Sequence, residues 1–167
     1  AFRSGQDVAD AERLVAIHKI SLINPLPISY LNRIKSTPGV SAVTHASWFG
    51  GYYQEPRNQF PQFPVEPRAY FEMYAEIEIP DAQLENFSQN RAGAVVGHEL
   101  AERFGWEGGD RIPIQSTIWT QKSGGQVWEF DLEGIFRAED GRTSTAYMLF
   151  NYDYFEEARS FGEGTVG

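Results

Sequence analysis

Apolar and polar residues alternate most regularly in the stretch VWEFDLEGIFR, residues 127–137. A period of two places successive side chains on opposite faces of a β-strand. The apolar set is Trp128, Phe130, Leu132 and Phe136, and the acidic set is Glu129, Asp131 and Glu133. The stretch therefore predicts a half-buried strand with one face toward the core and one acidic face toward solvent.

A different pattern occupies the stretch AVVGHELAERFGWEGGDRIPI, residues 94–114. Its first three residues are apolar and predict a short buried strand, which a two-turn helix follows. The residues on the buried face of this helix are Leu100, Ala101 and Phe104. Glu99 and Arg103 are spaced to pair on the solvent side, and Gly105 suits the left-handed residue that ends a helix. A glycine turn then leads into a second strand over residues 111–118.

The N-terminal part of the chain predicts a β-α-β unit. Residues 12–21 (ERLVAIHKIS) and 40–49 (VSAVTHASWF) have the composition of strands, and residues 27–37 predict a short helix between them. The apolar face of that helix consists of Ile28, Leu31 and Ile34. A right-handed crossover is expected if the two strands are parallel neighbours in one sheet, although an antiparallel neighbour stays open.

Residues 50–67, GGYYQEPRNQFPQFPVEP, have no helical or strand period. We expect an irregular surface loop there, because glycines and prolines recur along its length. Exposed aromatic side chains offer rigid contact area to a partner or substrate. The predicted contact residues are Tyr52, Tyr53, Phe60 and Phe63. Trp48 and Phe49 end the preceding strand and are expected to be buried.

The remaining segments add short elements of both kinds. Residues 72–80 (EMYAEIEIP) alternate and predict a strand, and a short helix begins at residues 80–81 and continues through Leu84 and Phe87. Residues 143–159 predict a strand and then a small acidic helix. The strand residues there are Tyr147, Leu149 and Phe150. Together these elements predict an α+β fold of two small lobes, a β-α-β unit and a strand-rich mixed α/β lobe.

Composition and charge exclude several classes of partner. The 167 residues are 41% hydrophobic and carry a formal net charge of −9. Nucleic acids and anionic membranes bind clustered lysine and arginine, so neither is an expected partner. The chain contains no cysteine, which excludes a disulfide framework and a thiol nucleophile. We find no signal-peptide core and no run of apolar residues long enough to span a bilayer.

His98 and Glu99 raise the question of a metal site. A zinc protease helix has a second histidine four residues after the first, whereas this chain has Glu102 at that position. The other two histidines, His18 and His45, lie in unrelated segments. We therefore predict that His98 and Glu99 are structural or solvated and that the chain holds no metal or other cofactor.

Other residues suggest catalysis only weakly. Carboxylate pairs such as Glu129 with Asp131, or Glu76 with Glu78, are two residues apart on predicted strands, which an acidic solvent face explains. No serine lies in a G-x-S-x-G turn, so Ser47, Ser116 and His98 do not indicate a triad. No phosphate-binding glycine loop or dinucleotide motif is present either. No catalytic residue is predicted.

Several segments, taken in order, resemble the extracytoplasmic core domain of MacB/FtsX-type ABC transporter permeases. They are YLNRIKSTPGVSAV, FPVEPRAYFEMY, AVVGHELAERFGW, RIPIQS and FDLEGIF. Each fragment is common by itself, and the serial arrangement over most of residues 14–155 carries the resemblance. Two features differ from the family: the aromatic loop is unlike those of macrolide exporters, and the returning half of the first lobe is expected to be missing.

The resemblance implies a domain organisation. Residues 1–49 would form the first half of a porter-like lobe, and residues 50–64 the aromatic loop. Residues 65–159 would form an inserted mixed α/β lobe, and residues 160–167 the truncated start of a return segment. An incomplete lobe would leave a strand edge unfilled, which would also allow a homodimer.

The resemblance also implies a role without catalysis in the domain itself. In such permeases the domain lies outside the cytoplasmic (inner) membrane, on the periplasmic side. It couples ATP-driven motion of transmembrane helices to an extracytoplasmic substrate or partner, in export, lipoprotein or peptide handling, or signalling. The implied partners are an ATP-binding subunit and a periplasmic adaptor or substrate protein. Two alternatives remain: a freestanding carbohydrate- or peptide-binding module, and a small carboxylate-dependent hydrolase.

Overall fold

A computed structural model describes residues 13–18, 25–139 and 143–167. Within these residues, five helices and two β-sheets form a mixed α+β fold that is consistent with two lobes, as the sequence predicts. The elements in chain order are β1 (Leu26–Pro27), α1 (Tyr30–Lys35), β2 (Gly51–Tyr53), β3 (Gln59–Phe60), β4 (Gln62–Val65), α2 (Pro67–Met73), β5 (Ile77–Glu78), α3 (Asp81–Gln89), β6 (Gly93–Gly97), α4 (His98–Phe104), β7 (Arg111–Ser116), β8 (Val127–Ala138), β9 (Met148–Asn151), α5 (Tyr152–Ala158) and β10 (Thr165–Val166). No helix among the described residues is long and apolar enough to span a membrane.

The larger sheet has the strand order β3-β2-β7-β8-β6-β9-β4, and β5 pairs with the far end of β8. Strands β6 and β9 are buried along their whole length, because apolar clusters cover both faces of the sheet. One cluster includes Leu100 of α4 and Phe155 of α5, and the other includes Tyr70 of α2 and Phe87 of α3. Helices on both faces of a partly parallel sheet explain these continuous apolar strands.

Strand β8 confirms the predicted half-buried strand but contains a bulge. Its pairing with β6 shifts by one residue between Ala94 and Val95, so that Leu132 and Gly134 of β8 face consecutive residues of β6. An extra residue reverses the faces of all residues that follow it. Phe136 therefore joins the α2–α3 cluster, whereas Trp128, Phe130 and Leu132 join the other. The expectation that all four share one face was wrong.

The larger sheet curls until its two ends meet. Strands β3 and β4 are separated only by Pro61, yet they occupy opposite ends of the strand order. The side-chain amide of Gln62, fully buried, closes this junction. Its Oε1 accepts from the N–H of Gly51 (2.9 Å), and its Nε2 donates to the carbonyl of Gly51 (3.1 Å). The predicted irregular loop at residues 50–67 is thus wrong: the segment contains three strands and the start of α2.

The smaller sheet pairs β1 with β10, which lies in residues 164–167, and we call these residues the late segment. Strands β1 and β10 are antiparallel, with Leu26 opposite Val166. On the other side of the late segment, Trp48 N–H donates to the carbonyl of Gly167 (3.3 Å), and Gly167 N–H donates to Ser47 Oγ (3.1 Å). Residues 165–167 therefore lie between β1 and residues 47–48.

Three strand predictions need correction. Residues 40–49 form no strand and make one isolated bridge, Ala46 to Val65, because residues 47–49 bond to two different neighbours in turn. Residues 13–18 also lack regular structure, and the remainder of the strand predicted at 12–21 lies outside the described residues. Of the strand predicted at 72–80, only β5 forms, since α2 extends to Met73. Helices α1, α3 and α5 lie where the sequence predicts them.

Candidate functional site

His98 and Glu99 hold a neighbouring segment of the chain. Glu99 Oε1 accepts from the backbone N–H (2.8 Å) and the hydroxyl (3.1 Å) of Thr145, and that hydroxyl lies 3.0 Å from His98 Nδ1. Gly97 permits the approach, because a Cβ there would lie 1.7 Å from the Thr145 carbonyl oxygen. Instead of pairing with Glu99, Arg103 lies over the ring of Phe104. The geometry supports the structural role predicted for the pair.

The carboxylates and serines considered for catalysis also make structural contacts. Arg111 forms ion pairs with both Glu129 (3.1 Å) and Asp131 (3.3 Å) on the exposed face of the sheet. Ser47 Oγ accepts from the last residue, and Ser116 Oγ accepts from the backbone of residues 118 and 119. Within the described part of the chain, no group of three or more acidic or histidine residues could hold a metal ion.

The four predicted contact residues separate into supporting and surface positions. Phe60 is only 7% exposed and packs near Phe104 and Trp106, as Tyr53 does. Tyr52 is half-buried; it points to the face of the sheet opposite Phe60, because side chains alternate along β2 and β3. Phe63 is also half-buried, with its ring edge-on to Trp48 and to Tyr147. The expectation that Phe60 is exposed was therefore wrong.

Trp48, expected in the core, is 48% exposed, whereas its neighbour Phe49 is fully buried as predicted. Phe49 contacts four core aromatic rings edge-on, and Trp48 consequently points outward. Gly50 makes this possible: its φ is 65°, and a Cβ there would lie 2.9 Å from both Trp48 Nε1 and Ile118 Cδ1.

Trp48 forms one wall of a surface cleft of about 320 Å³, which we call the Trp48 cleft. The cleft is lined by Trp48, Gly50, Gly51, Gln59, Phe60, Pro61 and Thr117. None of these residues is charged. The apolar surface continues from the cleft along Ile118 and Trp119 to Phe161: the Trp119 indole N–H donates to the Trp48 carbonyl (3.1 Å), and its ring stacks on Phe161 at 4.9 Å.

A second group of residues ties the late segment to α5. The buried guanidinium of Arg159 donates to the carbonyl of Thr165 (3.0 Å), pairs with Glu156, and lies 4.5 Å from the ring of Phe155. The Tyr152 hydroxyl lies 2.9 Å from Glu156 Oε2 and 3.2 Å from the Thr165 carbonyl. Burial, followed by the carboxylate of Glu156, raises the pKa of Tyr152, so its phenol stays protonated. We call Arg159, Tyr152 and Glu156 the Arg159 clamp.

Neither the Trp48 cleft nor the Arg159 clamp is predicted by the sequence patterns. The sequence WFGG at residues 48–51 contained the relevant signal, since two glycines after an aromatic pair allow one ring to be buried and the other exposed. Arg159 carried no comparable signal, because arginine is rarely buried and the Thr165 carbonyl that it binds belongs to the main chain.

Comparison with family models finds no match, and comparison with curated proteins finds none. Solved structures do match. The extracellular domain of the noncanonic ABC-type transporter YknZ from Gram-positive bacteria aligns with a TM-score of 0.57 and 14% identity, over 85% of this chain and 70% of that chain. The periplasmic region of MacB from Actinobacillus actinomycetemcomitans aligns with a TM-score of 0.57 and 13% identity, over 85% and 62%. The chain thus shares the fold of extracytoplasmic domains of ABC-type transporters, which confirms the resemblance seen in its sequence segments.

Proposed function

We propose that this chain is an extracytoplasmic domain of an ABC transporter permease, on the periplasmic side of the cytoplasmic membrane. In this role it couples ATP-driven motion of transmembrane helices to an extracytoplasmic substrate or partner protein. The shared fold supports the proposal, and the placement of residues 165–167 between β1 and residues 47–48 carries it. Because early and late segments meet in one small sheet, a displacement of either segment would move both.

The Arg159 clamp supports the coupling step. Two side chains of α5 and Arg159, which directly follows the helix, hold residues 164 and 165: Arg159 and Tyr152 contact the Thr165 carbonyl, and Glu156 accepts from the N–H of Gly164. Helix α5 in turn packs Phe155 against the core of the larger sheet. Motion of the late segment would therefore pass into the larger sheet through a buried network instead of through a free linker.

The proposed partners follow from this role. ATP hydrolysis would take place on a separate ATP-binding subunit, and this domain would contact an adaptor or substrate protein without catalysing a reaction. Tyr52 and Phe63 would contribute to that contact from the surface, with Tyr53 and Phe60 supporting them from the core side. A homodimer is a further proposal, which light scattering of the 167-residue chain would test.

Membrane topology provides the decisive experiment. Since the chain has no cysteine, a single Ser123→Cys substitution in an exposed turn gives a unique label site in the gene's full-length product, after any cysteine elsewhere in it is replaced. A membrane-impermeant maleimide should label intact cells with a permeabilised outer envelope, and an ATP-binding subunit should copurify in mild detergent. Labelling only after lysis of the cytoplasmic membrane, or a product that stays soluble, would refute the proposal.

A further inference from the structure

The Trp48 cleft is neutral in a strongly acidic protein. Its seven lining residues carry no charge, whereas 22% of the chain is charged and the net charge is −9. Near the apolar surface beside it, Lys122 and Glu163 neutralise each other in an ion pair of 2.5 Å. A volume of about 320 Å³ equals roughly ten water molecules at ~30 Å³ each, which suits one large side chain with some flanking backbone. The cleft therefore fits an uncharged occupant.

Hydrogen-bonding capacity distinguishes between uncharged occupants. The Thr117 hydroxyl already donates to the Gly50 carbonyl (3.0 Å), so the other polar side-chain groups of the cleft are the Gln59 carboxamide and the Trp48 indole N–H. A sugar presents many hydroxyl groups, and each one buried without a partner weakens binding. An apolar side chain needs no partner, so the lining favours it over a carbohydrate.

The edge of β3 offers main-chain groups beside the cleft. Tyr53 N–H donates to the Asn58 carbonyl (3.2 Å), and bonds alternate along an antiparallel pair, so the N–H and carbonyl of Gln59 point away from β2. No strand of the larger sheet lies beyond β3 at this end. An extended peptide can bond to such an edge, as happens in β-strand addition.

We propose that the Trp48 cleft binds an extended, uncharged segment of a partner polypeptide. One large apolar side chain of that segment packs against Trp48, and its main chain bonds to the outward groups of Gln59. A second copy of this chain is a poorer occupant, since each copy carries a charge of −9. The inference rests on the proposed function only in placing that partner outside the cytoplasmic membrane.

The probe is the blocked peptide acetyl-TTVLVTT-amide, compared with a peptide that has alanine in place of the central leucine. Titration into the ¹⁵N-labelled 167-residue chain should shift the Trp48 indole signal and the amides of Gly51, Gln59 and Thr117. The leucine peptide should bind about tenfold more tightly than the alanine peptide, because it fills the cleft. Equal affinity of the two peptides, or shifts located elsewhere, would overturn the proposal.

Two variants and a control make the result specific. Trp48→Ala should weaken binding of the leucine peptide about tenfold. Gln59→Pro removes the outward N–H at an edge position that tolerates proline and should also weaken it. Val127→Ala truncates a side chain of similar exposure, 46%, outside the cleft and should leave binding unchanged. Thermal unfolding checks that each variant is folded, and loss of binding in the control alone would overturn the assignment.

Three further probes test other occupants. If chitotriose shifts the same amide signals and binds more tightly than the leucine peptide, the occupant is a carbohydrate and the proposal is overturned. A Trp48 indole signal that shifts with protein concentration would indicate a second copy of this chain in the cleft. A signal that shifts on addition of phosphatidylcholine vesicles would indicate a membrane surface. Either result would also overturn the proposal. None of these measurements depends on membrane topology, so a failed topology test and a failed peptide test are distinguishable.

Discussion

Gln62 does with its side chain what a neighbouring strand would do with its backbone. Its carboxamide has one donor and one acceptor in the same plane, and both bond to Gly51 where the two ends of the curled sheet meet. Strands β3 and β4 cannot pair with each other there, because only Pro61 separates them along the chain. A fully buried polar side chain thus completes a sheet whose backbone alone leaves it open.

We expect Gln62→Leu to lower the free energy of unfolding by about 1–3 kcal/mol, through two lost buried hydrogen bonds. Gln62→Glu should be more destabilising near neutral pH, because a buried carboxylate can accept from Gly51 but faces its carbonyl oxygen. Protonation restores the donor, so the Glu variant should recover as the pH falls. Urea unfolding across pH measures both effects, and a Glu variant with no recovery at low pH would contradict this account.

His45 is a second residue whose surroundings determine its behaviour. Its ring packs edge-on against Tyr152 at 4.4 Å, and its buried Nδ1 has no hydrogen-bond partner among the described residues. Burial lowers the pKa of His45 below its usual 6.5, although Glu66, Asp153 and Glu156 act in the opposite direction. The folded protein therefore favours the neutral imidazole.

This shift gives a signed pH dependence. The unfolded chain protonates His45 at a higher pH than the folded chain, so the unfolded state binds more protons as the pH falls below 6.5. Stability should decrease over that window, and His45→Gln should lose this part of the decrease. Thermal unfolding from about pH 8 to about pH 5 compares the two proteins. Curves that run parallel at every pH would show that His45 does not contribute.

At the scale of single elements, helix α4 shows how far its sequence period holds. It begins at His98, ends at Phe104, and is closed by Gly105 in the left-handed conformation, as predicted. Leu100, at 1% exposure, is its buried anchor, while Phe104 is half-buried and lies near the rings of Tyr53 and Trp106. The end of the helix thus supports the β2–β3 hairpin instead of the centre of the core.

Leu100→Ala should therefore destabilise the protein more than Phe104→Ala. A fully buried leucine replaced by alanine costs about 2–5 kcal/mol, whereas the exposed part of Phe104 reduces its loss below the ~3–5 kcal/mol of a buried phenylalanine. Chemical denaturation of both variants gives the comparison. An equal or larger loss in Phe104→Ala would place the anchor of the helix at its end and contradict the observed burial.

Elements with strong local signals could be predicted from the sequence. Strand β8 has a clear two-residue period, and α4 has a glycine at its end; both were found. The bulge in β8 was not predicted, because it depends on a contact with α3. Gly134 lets the side chain of Gln83 approach from α3 and accept from the N–H of Ile135 (3.0 Å). A contact between two distant segments leaves no local period.

The loop prediction for residues 50–67 was wrong for a related reason. Prolines and glutamines indicate a loop when each segment is considered alone, but Pro64 lies in β4, which is the last strand of the sheet order, and Gln62 is buried. Edge strands tolerate proline. The Trp48 cleft depends on contacts of the same kind, because Gln59 of β3 and Thr117 after β7 come together only when both strands pair with β2.

At the scale of the whole molecule, the Arg159 clamp connects the two sheets. Residues 165–167 lie beside β1 and residues 47–48, and Arg159, directly after the end of α5, donates to the Thr165 carbonyl. Its guanidinium is 1% exposed and also lies over the rings of Trp119 and Phe155. A buried arginine of this kind is costly to leave unpaired, so the late segment and α5 should move together.

Arg159→Met tests this connection, since methionine keeps much of the apolar packing and removes the hydrogen bonds. The change leaves Glu156 without its partner and should cost about 2–4 kcal/mol, less than a fully buried pair because Glu156 is partly exposed. Amide hydrogen exchange should accelerate at residues 164–167, while β6 amides keep their protection under native conditions. Arg91→Met, which breaks an exposed pair with Glu157, is the matched control and should change neither the stability nor the exchange rate at residues 164–167.

If residues 164–167 exchange at the same rate in Arg159→Met and the unmodified chain, the late segment is held by β1 and residues 47–48 alone. Helix motion would then reach the larger sheet by another path, and the clamp would be a feature of stability only.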